Sequence, residues 1–90
     1  MMIKAAICED ERDSRDYLSA LIRRQPYLCE IAEYPSAAAY LAGGREADLL
    51  FLDIGLGKGK DGLELARELR ARPAKSQPLI VFITGYERYV

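Results

Sequence analysis

Residues 48–53 read Asp-Leu-Leu-Phe-Leu-Asp, an apolar run that ends in a carboxylate. Two other short runs are almost as apolar: Met2–Cys8, which is interrupted only by Lys4, and Leu79–Ile83. Runs of this length and composition are typical of strands, and Met2–Cys8 fits a strand that is buried on both faces of a sheet. We therefore predict three strands here and a fourth over Tyr27–Tyr34, whose more polar sequence favours an edge position.

Helical patterns follow the first three of these strands. The first pattern has an apolar stripe within residues 17–22, and we expect it to begin at a cap formed by Asp13 or Ser14 and to end before Pro26. The second pattern is expected to begin at Pro35 and Ser36 and to end at Gly43 and Gly44. The third is expected to begin at Asp61. Strands that alternate with helices are typical of an α/β fold, in which a doubly wound parallel sheet has helices on both faces.

Polar side chains follow three of the predicted strands at the point where each ends. Glu9 and Asp10 follow the first strand, Asp53 ends the third, and Thr84 follows the fourth. Because parallel α/β sheets carry their working sites at the carboxyl ends of the strands, we expect these side chains to lie together. Three adjacent carboxylates favour a hard divalent ion such as Mg²⁺ among them. A carboxylate neutralised in this way can attack a phosphoryl group, so the sequence predicts a phosphoryl acceptor at Asp53.

The composition argues against several classes of function. Thirteen basic and fourteen acidic residues give a formal net charge of -1, which offers no electrostatic footprint for nucleic acid. No apolar run is long enough for a membrane span, and the amino terminus does not resemble a secretory signal, so a cytoplasmic location is expected. The absence of histidine removes the commonest general base. Cys8 and Cys29 lie in apolar runs and are expected to be buried hydrophobes.

Four motifs together resemble the response-regulator receiver family. They are Ile-Cys-Glu-Asp-Glu at residues 7–11, Leu-Leu-Phe-Leu-Asp-Ile at 49–54, Asp-Gly-Leu-Glu-Leu-Ala at 61–66 and Val-Phe-Ile-Thr-Gly-Tyr at 81–86. The Glu-Asp form of the first acidic pair is most similar to regulators that carry a LytTR-type DNA-binding domain downstream. The resemblance implies a flavodoxin-like strand order, 2-1-3-4, in the receiver of a bacterial two-component system.

The resemblance also implies a role for each residue of the predicted site. Asp53 would be phosphorylated by a sensor histidine kinase, while Glu9, Asp10, Asp53 and the backbone carbonyl of Gly55 would surround Mg²⁺. Thr84 would be the switch hydroxyl that follows the phosphoryl group, and the change would control a downstream effector. The added charge of about -1.5 to -2 is sufficient to shift a two-state loop. The chain would thus assist its own phosphorylation and dephosphorylation as a signalling acceptor, not as an enzyme.

The sequence departs from the family pattern in two places. The loop after the acceptor has Gly57-Lys58-Gly59-Lys60 in place of the usual proline, which predicts a looser loop. The family fold has five strands and five helices, so residues 1–90 are expected to form an incomplete receiver domain that lacks the last strand, the last two helices and the family's invariant lysine. The fourth strand would then present an apolar edge, and we expect self-association through it.

Two other functions stay open. A pseudo-receiver that no longer switches would act only as a protein-interaction or dimerisation module. A Mg²⁺-dependent phosphohydrolase usually has two acids two residues apart after the first strand, a pattern that Glu9-Asp10-Glu11 does not match. We therefore expect a signalling phospho-acceptor with no membrane or nucleic-acid contact by this chain itself, and the pseudo-receiver is the main alternative.

Overall fold

Four parallel strands form one sheet in the computed structural model, which describes residues 3–26, 28–43, 47–55 and 61–83. The strands are β1 (Ile3–Cys8), β2 (Leu28–Tyr34), β3 (Leu49–Asp53) and β4 (Leu79–Ile83). They lie in the order β2-β1-β3-β4, and every neighbouring pair is parallel. The predicted parallel α/β sheet, its strand order and the edge position of β2 are therefore confirmed.

Some predicted features lie outside the described residues. They are Met2, Tyr27, Gly44, the Gly-Lys loop within residues 56–60 and all residues from Thr84 onward, together with the side chain of Cys29. What the sequence suggests for them stays a prediction.

The register of the two central strands brings their carboxyl ends level. Cys8, the last residue of β1, pairs with Leu52 of β3, so Glu9 and Asp53 follow side by side on neighbouring strands. Residues 5–8 are all buried, because β1 has a strand on each side and helices pack against the sheet. This burial accounts for the continuous apolar sequence that predicted the strand.

Within the described residues, three α-helices connect the strands: α1 (Arg12–Arg23), α2 (Ala37–Ala42) and α3 (Gly62–Arg70). The helices α2 and α3 pack against alternate side chains of β1 and β3 and form the main core with them. The buried members of this core are Ala6, Cys8, Ala37, Tyr40, Leu50, Leu52, Leu65, Ala66 and Leu69. The helix α1 contacts β1 and β2 and buries Ser19 and Ile22. Searched over the described part of the chain, no helix has the length and apolar character to cross a membrane.

The predicted start of α1 is wrong, whereas the starts of the other two helices are confirmed. The cap is neither Asp13 nor Ser14, because α1 begins at Arg12 and its N-cap position is Glu11. The reason lies in the preceding turn, where the carboxylate of Glu9 accepts a hydrogen bond from the Glu11 N–H at 3.0 Å. That bond satisfies the N–H of the N-cap residue itself, which in a capping box is satisfied by the side chain three residues further on.

The caps of α2 and α3 follow the sequence expectation. The hydroxyl of Ser36 accepts a hydrogen bond from the Ala39 N–H at 3.0 Å. The carboxylate of Asp61 accepts one from the Glu64 N–H at 2.8 Å, and the Glu64 side chain accepts one from the Asp61 N–H in return. Such a reciprocal pair is a capping box, which fixes where α3 begins.

The strand β4 lies at the edge of the described sheet and leaves much of its apolar surface exposed. Leu79 is 66% exposed, Phe82 44% and Val81 38%. The expected exposure of apolar side chains on this strand is therefore confirmed for Leu79, Val81 and Phe82, whereas Ile80 and Ile83 are half-buried. Whether copies of the chain associate there is a separate prediction.

Candidate metal centre at the carboxyl edge of the sheet

Three carboxylates meet where β1 and β3 end. Glu9, Asp10 and Asp53 each offer an oxygen, and these oxygens all lie within 4.8 Å of one another. Asp53 is 1% exposed and Glu9 is 6% exposed, whereas Asp10 faces solvent. The structure therefore brings together the three acidic side chains that the sequence singled out, and it buries two of them. Oxygen donors that converge in this way are the ligands that Mg²⁺ prefers.

The two other predicted members of the site have different outcomes. Gly55 lies beside Asp53, since its N–H approaches Oδ1 of Asp53 at 3.4 Å, which is long for a hydrogen bond. The role of its carbonyl as a metal ligand stays a prediction. Thr84 lies outside the described residues, as do Lys58 and Lys60, so their relation to the carboxylates also stays a prediction.

Burial dominates the electrostatics of the site, and the neighbouring carboxylates add to its effect. Burial raises the pKa of Glu9 from 4.5 to about 7. The hydrogen bond from the Glu11 N–H opposes this shift, while the hydrogen bond with Asp10 and the charges of Asp53 and Asp10 add to it. A bound cation would reverse the balance, because it favours the ionised form of every carboxylate around it.

The thiol of Cys8 lies directly behind this site and takes no part in its chemistry. Its side chain is fully buried. Burial raises the pKa of Cys8 from 9.0 to about 12, and the charges of Asp53, Glu9 and Asp10 add to the effect. A thiol with so high a pKa does not ionise near neutral pH, so the interpretation of Cys8 as a buried hydrophobe is confirmed.

The N-terminus of α3 lies against the backbone at the end of β3, a contact that sequence reasoning missed. The N–H of Gly62 donates to the carbonyl oxygen of Ile54 at 2.9 Å. A methyl group on Gly62 would overlap the carbonyl oxygen of Asp53 and lie 2.8 Å from the Cα atom of Ile54. Only a residue without a side chain fits here. The Asp-Gly pair at a helix start was visible in the sequence, but the contact depends on the tertiary fold.

Sequence reasoning also missed Arg15, which lies on α1 but outside the apolar stripe predicted within residues 17–22. Its Nη1 atom donates a hydrogen bond to the backbone carbonyl oxygen of Glu9 at 2.9 Å. Its Nε atom lies 3.8 Å from a carboxylate oxygen of Glu33. The spacing of six residues between Glu9 and Arg15 gives no local signal, because the contact crosses the turn between β1 and α1.

A model of the response regulator receiver domain matches residues 5–90 of the chain. The chain belongs to this family. Among curated relatives of the receiver, the sensory transduction protein LytT of Bacillus subtilis is 37% identical over 90 residues, which cover 98% of this chain and 36% of that protein. LytT of Enterococcus faecalis is 36% identical and covers 92% of this chain and 34% of that protein. The receiver thus spans about a third of the length of these relatives, and the resemblance drawn from the motifs is confirmed.

Solved structures agree with this assignment of the receiver. The response regulator TrrA of Thermotoga maritima, solved in complex with Mg²⁺-BeF, superposes with a TM-score of 0.81 at 28% identity and covers 98% of this chain and 74% of that one. A CheY-like receiver domain of Methylobacillus flagellatus gives the same TM-score at 23% identity and covers 100% of this chain and 75% of that one. The second likeness supports the fold alone.

Proposed function

We propose that this receiver accepts a phosphoryl group on Asp53 from a sensor histidine kinase. In this proposal, Glu9, Asp10, Asp53 and the carbonyl of Gly55 hold one Mg²⁺ ion. The observation that carries the proposal is the convergence of three carboxylates, within 4.8 Å, at the carboxyl edge of a parallel sheet. Burial of two of them supports it further, since buried like charges are costly without a cation. The proposal is also supported by the similar structure of TrrA, which was solved in complex with Mg²⁺-BeF.

The proposed reaction is a direct transfer between two side chains. A carboxylate oxygen of Asp53 attacks the phosphorus of the kinase phosphohistidine, an O–P bond forms, and the P–N bond breaks with its electron pair leaving on the imidazole nitrogen. Mg²⁺, when bound, offsets the negative charge of the carboxylates and of the phosphoryl oxygens. The chain's own part is to hold Asp53 in place, which β3 and the N-terminus of α3 achieve by packing around its backbone.

The same proposal extends to what the phosphoryl group does. Thr84 would act as the switch hydroxyl, and the new charge would bias the surrounding loop. The two LytT relatives are covered over only 36% and 34% of their length. We therefore assign a downstream effector, of a DNA-binding kind, to the full regulator, and we assign no nucleic-acid contact to this chain. Its role is that of a signalling module, and residues 1–90 act as part of one receiver domain.

A phosphoryl mimic tests the proposal directly. Mg²⁺ with beryllofluoride is added to the ¹⁵N-labelled chain, and the amide spectrum is followed. We expect resonances of Glu9, Asp10 and residues 53–55 to shift, and we expect Asp53→Asn to abolish the response. Asp48→Asn is the matched control, because Asp48 precedes the same strand and bonds the Lys4 N–H at 2.9 Å at the opposite end of the sheet. A wild-type spectrum that Mg²⁺ and beryllofluoride leave unchanged would refute the proposed function.

Exposed apolar residues on β4 favour a second candidate function, that of a self-association module. Leu79, Val81 and Phe82 offer an apolar edge, and edges of this kind pair readily with another chain. We expect the mass measured by light scattering to rise with concentration and Val81→Lys to prevent the rise. Leu63→Lys is the control, since Leu63 is also exposed, at 46%, but lies on α3. A wild-type chain that stays monomeric over the whole dilution series would exclude this function.

A further inference from the structure

The guanidinium of Arg15 joins the turn that carries two of the acidic residues to the neighbouring strand. Its Nη1 atom donates to the carbonyl oxygen of Glu9 at 2.9 Å, and its Nε atom lies 3.8 Å from the carboxylate of Glu33 on β2. The side chain of Arg15 is only 18% exposed and that of Glu33 is 31% exposed. A partly buried arginine with two partners on different elements is held in one geometry, which a solvated arginine is not.

The contact matters because of which peptide group it holds. The carbonyl of Glu9 belongs to the peptide that links Glu9 to Asp10. The other side of Glu9 is already fixed, since its N–H donates to the carbonyl oxygen of Tyr34 on β2 at 3.0 Å. With Arg15 on the carbonyl, both backbone groups of Glu9 are bonded. The orientation of the following peptide plane sets the positions of the N and Cα atoms of Asp10. Arg15 therefore constrains both residues of the acidic pair.

A second feature makes this constraint consequential. When all three are ionised and no cation is bound, the carboxylates of Glu9, Asp10 and Asp53 repel one another, so the turn has an electrostatic reason to open. Asp53 is fixed by β3, and Glu9 is buried, but Asp10 lies on the exposed turn. A hydrogen bond with a charged donor is stronger than a neutral one, which suits it to hold such a turn closed.

We infer that Arg15 is a positioning residue for the metal centre. By holding the Glu9–Asp10 peptide, it keeps two of the three carboxylates in register with Asp53 before a cation arrives. The inference rests on the proposed function, because it supposes that these carboxylates bind Mg²⁺. It adds a residue that contacts neither the ion nor the phosphoryl group, and whose effect passes through the backbone.

Arg12 provides a matched control on the same helix. It also carries one positive charge and has an acidic neighbour, Asp16, at 3.8 Å, but its side chain is 85% exposed. Arg12→Gln and Arg15→Gln therefore remove the same charge from α1. The loss of net charge is common to both variants. A difference in Mg²⁺ affinity between them therefore reports the contacts of Arg15 with the Glu9 carbonyl and with Glu33.

The test is a Mg²⁺ titration of the wild-type chain and three variants, followed by calorimetry and by the amide spectrum. We expect Arg15→Gln to weaken Mg²⁺ binding about tenfold, because loss of a group that bonds a metal ligand typically lowers the affinity by this much. We expect Arg12→Gln to change the affinity less than twofold. Arg15→Lys keeps a donor for the carbonyl and should recover most of the affinity. In the metal-free protein, Arg15→Gln should shift the Asp10 amide resonance, because that N–H shares a peptide with the Glu9 carbonyl.

Urea titrations of the same samples separate positioning from loss of fold, since affinities are compared only where each variant is folded. Binding by Arg15→Gln within twofold of the wild type would overturn the inference while leaving the proposed function intact. Equal losses in Arg15→Gln and Arg15→Lys, with no shift of the Asp10 amide, would also overturn it. A wild-type chain that binds no Mg²⁺ would overturn the proposed function and this inference with it.

Discussion

Replacing Glu9 with glutamine should stabilise the metal-free protein at alkaline pH while it weakens the metal site. The pKa of Glu9 is raised in the folded state from 4.5 to about 7, so the folded protein binds this proton more tightly than the unfolded chain does. The stability associated with Glu9 is therefore fully present below pH 4.5 and is lost as the pH rises through about 7. At about 1.4 kcal/mol for each unit of pKa, the loss amounts to about 3 kcal/mol at most.

Glutamine has nearly the shape of glutamate and no charge, so it avoids this loss. Its carbonyl oxygen can still accept the hydrogen bond that the Glu11 N–H gives to Glu9 at 3.0 Å. We expect Glu9→Gln to exceed the wild type in free energy of unfolding by up to about 3 kcal/mol at pH 8 in the presence of a chelator. For a domain of this size each kcal/mol shifts the melting temperature by about 4–8 °C, so the difference is large enough to measure.

Urea denaturation at pH 4.5 and at pH 8 provides the assay. The stability difference between Glu9→Gln and the wild type should be near zero at the lower pH and should grow as the pH rises. Glu11→Gln is the control, because Glu11 is exposed and surface substitutions change stability by about 0.5 kcal/mol or less. If Glu9→Gln were no more stable than the wild type at pH 8, burial of the Glu9 charge would not be the destabilising factor that the structure indicates.

Three further predictions test the packing of the protein. Gly62→Ala should lower the free energy of unfolding by about 1–3 kcal/mol, because the added methyl group overlaps the backbone of Asp53; an unchanged urea midpoint would contradict this. Gln77→Ala should cost about 1–2 kcal/mol, because the Gln77 amide donates to two carbonyl oxygens just after α3, at 3.0 and 2.8 Å; thermal melts at matched pH measure it. In a Cys29→Ser background, Cys8 should react with iodoacetamide only as fast as the protein unfolds, because Cys8 is buried and its pKa is raised to about 12; fast alkylation of the native protein would be inconsistent with this.

Much of the fold could be predicted because its signals are local. The short apolar runs gave β1, β3 and β4, and residues with a specific chemistry at helix ends, Ser36 and Asp61, gave two of the three helix starts. The convergence of the carboxylates could also be predicted, since it needs only the rule that parallel strands end at one edge. The pairing of Cys8 with Leu52 shows why that rule was sufficient, as it places the next residues side by side.

Two of the features that were missed depend on contacts between elements, and the third depends on a local turn. The start of α1 was wrong because the carboxylate of Glu9, three residues before the helix, bonds the Glu11 N–H. The closeness of Gly62 to the acceptor strand depends on how α3 packs, and the link from Arg15 to Glu9 depends on how the turn folds back. The contacts of Gly62 and Arg15 have no sequence pattern of their own, because each combines residues whose spacing is set by the tertiary structure, whereas the bond between Glu9 and Glu11 is local.

If the site binds Mg²⁺ as proposed, metal binding is coupled to the stability of the fold. A ligand that binds only the folded state at a hundred times its Kd stabilises that state by about 2.7 kcal/mol. This is close to the loss of about 3 kcal/mol estimated for the ionised Glu9, so saturating Mg²⁺ would roughly offset the electrostatic cost of the empty carboxylates. It follows that added Mg²⁺ should stabilise the wild type more than Glu9→Gln and should bring their stabilities close together at pH 8. The buried charge that weakens the metal-free protein is then the same feature that gives the site its affinity.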